Sequence, residues 1–223
     1  MIPWVELDQT TTPDGQKLRL KQRGEEFSIM LGANELMNSR LSGSEEALAR
    51  LAIERLGMAK SPYVLIGGLG MGFTLRAALA ELSAYARVAV AELIPAVVGW
   101  ARGPMAAVFG GCLDDSRVVI QERDVGHSIA GSKNAYDAIL LDVDNGPEGL
   151  TVESNDALYS VAGLARTYTS LKPGGVLAVW SSGPDAGFTR RLGQAGFVVE
   201  EHNVRARGKR GARHVIWLAV KGG

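Results

Sequence analysis

Tyr63-Val-Leu-Ile66 runs directly into Gly67-Gly68-Leu69-Gly70-Met71-Gly72. The uncharged apolar run predicts a short buried strand, and the glycines turn it into a helix with Leu75, Leu79 and Leu82 on one face. A second strand, Arg87-Val-Ala-Val-Ala-Glu92, follows and ends on a carboxylate. Glycines at a strand-to-helix turn let backbone N–H groups approach a ligand without Cβ obstruction. An acid at the tip of the next strand can accept hydrogen bonds from both ribose hydroxyls. Gly72 and Glu92 are 20 positions apart, the separation expected of a nucleoside-binding βαβ unit. The dinucleotide fingerprint would need a glycine where Phe73 stands. The spacing present, Gly68-x-Gly70-x-Gly72, is that of S-adenosylmethionine (SAM) sites. A tight turn with no ligand is the plainer reading of the same glycines.

Outward from this unit the chain alternates strand and helix. Strands are predicted at 117–122, 136–142, 174–180, 197–202 and 213–220, and helices near 95–103, 124–131, 153–170 and 185–195. Such alternation implies a mostly parallel sheet covered by helices on both faces. The two closely spaced final strands predict a hairpin whose last strand runs antiparallel to its neighbours. The fold class expected is therefore α/β: the Rossmann-like class I SAM-dependent methyltransferase fold with a seven-stranded sheet.

Residues 1–33 differ in character. Pro3–Leu7, Lys17–Lys21 and Glu26–Met30 carry β-formers, and Thr12-Pro-Asp-Gly15 is a turn signal. A small antiparallel hairpin or three-stranded sheet is expected there, ahead of a core domain spanning 34–223. Ser42-Gly-Ser44-Glu45-Glu46 marks the start of a helix that Gly57 ends.

The chain has 223 residues, 46% of them hydrophobic, with 24 basic and 24 acidic side chains. That length supports a large core, and a zero formal charge favours neither nucleic acid nor an anionic membrane as partner. No apolar run reaches membrane-spanning length and no signal-peptide pattern opens the chain. The single cysteine, Cys112, rules out an internal disulfide and suits a reducing, cytoplasmic setting; it is read as a small, at least half-buried apolar residue. His127, His202 and His214 lack metal-ligand spacing, so no metal is expected. No Gly-x-Ser-x-Gly elbow supports a Ser-His-Asp hydrolase. The basic run Arg205–Arg213 reads as a solvated hairpin loop, with phosphate binding by an RNA-modifying enzyme as the alternative. An exposed N-terminal β edge allows a homodimer.

The β-rich start together with Tyr136-Asp-Ala-Ile-Leu-Leu-Asp142-Val-Asp144-Asn-Gly146-Pro147 resembles the spermidine synthase (polyamine aminopropyltransferase) branch of that fold. The family carries Tyr-Asp-x-Ile-x-x-Asp-x-x-Asp-Pro-x-Gly-Pro at this place. The resemblance implies that Glu92 holds the ribose of SAM or decarboxylated SAM, and that Asp124 meets the adenine amino group. It implies that Asp142 accepts the proton of an attacking amine. The nucleoside set is then Gly67, Gly68, Gly70, Gly72, Glu92, Leu93, Asp124, Val125 and Asp142, with Asp142 and Asp144 as catalytic candidates. Gly70 stands where the family's glycine loop has an aspartate, which favours methyl over aminopropyl transfer to a small amine-bearing acceptor. True aminopropyl transfer, and a SAM-binding module without catalysis, are the alternatives.

Each candidate also has a plain structural reading. Asp142 and Asp144 can shape a solvated turn before Gly146-Pro147. Asp124 can cap the helix that begins at Val125, and Asn155 and Asp156 read as helix caps. Trp180 either walls a substrate pocket or packs in the core.

Overall fold

A computed structural model describes residues 2–57, 59–143, 157–207 and 210–223. Four antiparallel strands come first: β1 (Val5–Thr11), β2 (Lys17–Arg23), β3 (Glu26–Leu31) and β4 (Asn34–Asn38), paired in chain order. The expected sheet of at most three strands thus gains a fourth. Gly32, in the left-handed region at φ +56°, closes a two-residue hairpin loop that sets Leu31 opposite Asn34. The Asn-Glu-Leu-Met-Asn sequence of β4 lacks a clear alternating pattern, so only this turn betrays it.

Helix α1 (Gly43–Leu56) leads into the second sheet. That sheet comprises β5 (Tyr63–Gly67), β6 (Arg87–Glu92), β7 (Val118–Glu122), β8 (Tyr136–Leu141), β9 (Leu171–Ser181), β10 (Phe197–Arg207) and β11 (Arg210–Lys221), in the spatial order β10-β11-β9-β8-β5-β6-β7. Neighbours from β9 across to β7 are parallel, and β11 is antiparallel to both β9 and β10. This is the class I methyltransferase arrangement read from the sequence. The connecting helices are α2 (Phe73–Glu81), α3 (Pro95–Arg102), the single turn α4 (Ala106–Phe109), α5 (Val125–Ala130), α6 (Val161–Ser170) and α7 (Ala186–Gln194).

The central strands are apolar throughout because both of their faces are covered: Val64, Leu65 and Ile66 of β5, and Ile139, Leu140 and Leu141 of β8, are fully buried. On one face, Val64, Ile66 and Leu140 share a continuous core with Leu48 of α1 and with Leu18, Leu20 and Ile29 of the N-terminal sheet. On the other, Leu65, Ile139 and Leu141 pack with Leu164 of α6 and Phe188 of α7. The N-terminal sheet is pinned further by Trp100 of α3, whose indole N–H donates to Asp8 of β1 at 2.7 Å.

Two local expectations change. The helix expected over 153–170 is interrupted: residues 157–159 are helical, and α6 restarts at Val161. Ser160 is extended between them, and its hydroxyl accepts the Gly163 N–H. Asn155 and Asp156 lie outside the described residues. Among the described residues of the basic run, Arg205–Arg207 belong to β10 and Arg210–Arg213 to β11 rather than to a loop, with Arg205 opposite Arg213 and Ala206 buried against the start of α1. Cys112 is half-buried, and its surroundings push the thiol up to about 11. No helix among the described residues is long and apolar enough to cross a membrane.

Candidate active site

Strand order reverses between β5 and β8, and in such sheets ligands bind outside the carboxyl ends of the strands at the reversal. Gly67, Gly68, Gly70, Gly72, Glu92, Leu93, Asp124, Val125 and Asp142 fall at that end of the sheet. Gly67 ends β5, and its carbonyl accepts the Asp142 N–H at 3.0 Å. Gly68 has φ +88°, and a Cβ on it would stand 2.5 Å from the Asp142 carbonyl oxygen. Gly72 has φ +76°, and a Cβ there would lie 2.5 Å from the Phe109 ring. The bare backbone thus first serves the protein's own packing, letting the tip of β8 and the Phe109 ring close on the loop. Only Gly68 and Gly70 of the loop glycines line the cavity.

That cavity lies between the two sheets. From the core it is lined by Gly68, Gly70, Glu92, Leu93, Asp124, Val125 and Asp142; Leu18, Ile29, Leu31, Leu36 and Met37 of the N-terminal sheet close the opposite side. Glu92, 8% exposed, accepts the Leu69 N–H at 2.9 Å through one carboxylate oxygen and the Ile94 N–H at 2.8 Å through the other. Burial raises its pKa, and these backbone bonds oppose the rise. Each oxygen keeps acceptor capacity beyond its backbone bond, so the carboxylate can hold a pair of hydroxyls without giving up the loop. Asp124 caps α5 by accepting the Gly126 N–H at 2.6 Å, and it lines the cavity as well. The capping and ligand readings of this residue are therefore compatible. An adenosyl group fits this lining: a carboxylate to accept from the sugar hydroxyls, an acid at the next strand tip, and apolar side chains to flank a ring.

Asp142, just beyond β8, connects this cavity to a second one lined also by Leu36, Met37, Asn38, Glu45, Leu69, Gly70, Met71, Phe73 and Trp180. Its side chain accepts a 2.7 Å hydrogen bond from the Thr74 hydroxyl. Packed surroundings first, and the Glu45 charge second, push its carboxyl up to about 7, against the Thr74 bond. A base poised near neutrality is suited to taking a proton from a substrate. Asp144 lies outside the described residues. Trp180 is partly buried in the wall of the second cavity.

Sequence reading passed over Met37, Glu45 and Thr74. An acid in a first helical turn reads as a partner for the helix dipole, and no local pattern says that it faces a cavity. Met37 sits on a strand that the pattern did not disclose. Its Sδ is 3.1 Å from where a Gly70 Cβ would be, so the thioether occupies the space a side chain at position 70 would need.

No protein-family model matches the sequence, and no match emerges among curated proteins. Solved structures do match. The fold is that of spermidine synthases. A spermidine synthase in complex with the transition-state analogue AdoDATO superposes with a TM-score of 0.77 at 19% identity, covering 97% of this chain and 72% of that one. The spermidine synthase from Thermotoga maritima gives a TM-score of 0.78 at 20% identity, covering 97% and 73%. The coverage includes the N-terminal sheet as well as the sheet that carries the candidate site.

Proposed function

We propose that the protein is an aminopropyl transferase that uses decarboxylated SAM and an amine acceptor. One observation carries the choice of donor. The charged side chains that line the two cavities, among the described residues, are all carboxylates: Glu45, Glu92, Asp124 and Asp142. A donor with a sulfonium and an ammonium but no carboxylate suits such a lining, whereas the carboxylate of SAM would be repelled by it. Spermidine synthases as structural neighbours favour the same reading. The preference for methyl transfer rested on the absence of an acid at Gly70. Glu45 brings a carboxylate into the cavity that Gly70 lines, so that ground falls away.

The donor supplies a carbon already activated by its bond to positive sulfur. The protein's part is to align, exclude water and move one proton. Glu92, Asp124 and the Gly68–Gly70 backbone hold the nucleoside. The acceptor nitrogen forms its bond to the aminopropyl carbon as the carbon–sulfur bond breaks, sulfur keeps the electron pair, and methylthioadenosine leaves uncharged. The proton lost by the nitrogen goes to the Asp142 carboxylate, which Thr74 orients.

Calorimetry with SAM, decarboxylated SAM and methylthioadenosine tests the donor, and mass spectrometry of incubations with mono- and diamines tests the transfer. Expected are tighter binding of the decarboxylated form, an aminopropylated amine and free methylthioadenosine. Preference for SAM together with a methylated product would replace this reading.

A further inference from the structure

We propose that Met37 is a further donor-contacting residue, whose thioether sulfur faces the sulfonium where the two cavities meet and lets the site tell the cationic donor from its uncharged product. This rests on the transfer reading above and deepens it on the donor side.

Among the described residues, Leu36, Met37, Gly70 and Asp142 line both cavities. With the nucleoside held at Glu92 in one cavity and the acceptor in the other, the carbon that changes partners must pass this junction, and its sulfur lies beside it. Two neighbours in sequence reach the junction because β4 is irregular. In a regular strand consecutive side chains point to opposite faces. Here Ile29 pairs with Met37 while Met30 pairs with Glu35, which leaves Leu36 as the extra residue of a bulge. Bulges re-aim side chains in this way, and both Leu36 and Met37 end on the cavity side. Met37 presents its sulfur to the loop more closely than its methyl: Sδ stands 3.1 Å, and Cε 3.7 Å, from where a Gly70 Cβ would be. The thioether thus lies against bare main chain that lines the donor cavity.

Sulfonium chemistry gives such a sulfur a task. A trialkylsulfonium has no N–H or O–H to donate, so what attracts it is a lone pair or a negative charge. Leu36 offers neither, and Asp142 is engaged with the Thr74 hydroxyl and with the proton it takes from the acceptor. A carboxylate held against the sulfonium would stabilise a reactant charge that vanishes as the carbon–sulfur bond breaks, and so would raise the barrier. A neutral thioether stabilises the same charge only weakly. After transfer the departing sulfur is itself an uncharged thioether, and the attraction is gone. Met37 therefore favours entry of the donor over retention of the product.

The test is calorimetric binding of three ligands to wild type, Met37→Leu and Leu36→Val. The ligands are decarboxylated SAM, decarboxylated S-adenosylhomocysteine (which keeps the ammonium and lacks the sulfur charge) and methylthioadenosine. Leucine conserves the volume of methionine without its lone pairs, so the fold and the unfolding temperature should be kept. In Met37→Leu the Kd of decarboxylated SAM should rise about three- to tenfold, the scale of one soft contact, while the two thioethers bind as they do to wild type. Leu36→Val, which trims the same junction without touching the sulfur, should shift decarboxylated SAM and its demethylated thioether alike. Equal losses for charged and uncharged ligands in Met37→Leu, or no loss at all, overturn the role of Met37 and leave the transfer reading standing. Wild-type protein that fails to bind decarboxylated SAM overturns the aminopropyl reading, and this assignment with it.

Discussion

Asp142 makes the residue-scale chemistry testable by pH. Its carboxyl sits near 7 because burial and the neighbouring Glu45 charge disfavour ionisation. The base form therefore gains occupancy as pH rises through 7, and kcat/KM should climb on an acid limb centred there. Asp142→Asn should lower turnover by about two to four orders of magnitude and leave methylthioadenosine affinity nearly intact. The same shift bears on stability with a definite sign. The folded pKa is above the unfolded value, so the contribution is fully present at low pH and is lost as pH rises toward 7. Asp142→Asn should consequently melt at least as high as wild type at pH 8, and the gap should close near pH 4; calorimetric scans at both pH values check this. Glu92 behaves differently because its oxygens hold the Leu69 and Ile94 N–H groups. Glu92→Ala should weaken nucleoside binding by about tenfold or more and also cost about 1–3 kcal/mol of folding stability, since a buried and a part-buried backbone donor lose their partner. Calorimetric binding and urea unfolding would separate the two effects, and unaltered affinity would remove the ribose role.

Elements explain why the loop tolerates so little change. Gly68 and Gly72 both have positive φ, and each faces an atom that a Cβ would overlap. At Gly68 that atom is backbone, the carbonyl of Asp142, so the tip of β8 would have to move. At Gly72 it belongs to the Phe109 ring, which anchors α4. Gly68→Ala should therefore destabilise by about 2–3 kcal/mol and also misplace Asp142, so activity should fall beyond what the unfolded fraction explains. Comparing urea midpoints with turnover at 10 °C tests this. A stability loss with normal specific activity would show that β8 adapts. Helix and strand positions in the core were legible because apolar runs and glycine breaks are local signals. The exceptions share a cause in tertiary contact. Strand β4 exists because it pairs with β3, the described ends of the basic run are strand where Ala206 is buried against α1, and the helix before α6 breaks where Ser160 caps a new one.

At the scale of the whole molecule the two sheets share one core. Leu20 and Ile29 of the N-terminal sheet belong to the same packed cluster as Val64, Ile66 and Leu140 of the central strands. Ile29→Ala should thus cost about 2–5 kcal/mol and lower the stability of the entire chain in one cooperative transition. Circular dichroism and tryptophan fluorescence should give coincident midpoints. Two separated transitions would mean that the N-terminal sheet unfolds on its own. The cavity depends on this shared core, since Leu18, Ile29, Leu31, Leu36 and Met37 form its second wall.

Amino-acid order alone carried the βαβ unit, the parallel sheet with its antiparallel last strand, and the acids at the strand tips. Each of these follows from neighbours a few positions apart, through periodicity, turn chemistry and spacing. Packing alone decided that Gly68 and Gly72 are spoken for by Asp142 and Phe109, that Met37 fills the space beside Gly70, and that Glu45 faces Asp142 rather than water. Those relations join residues far apart in the chain. They arise from the burial of the N-terminal sheet and α1 against the central strands, which no short stretch of sequence encodes by itself.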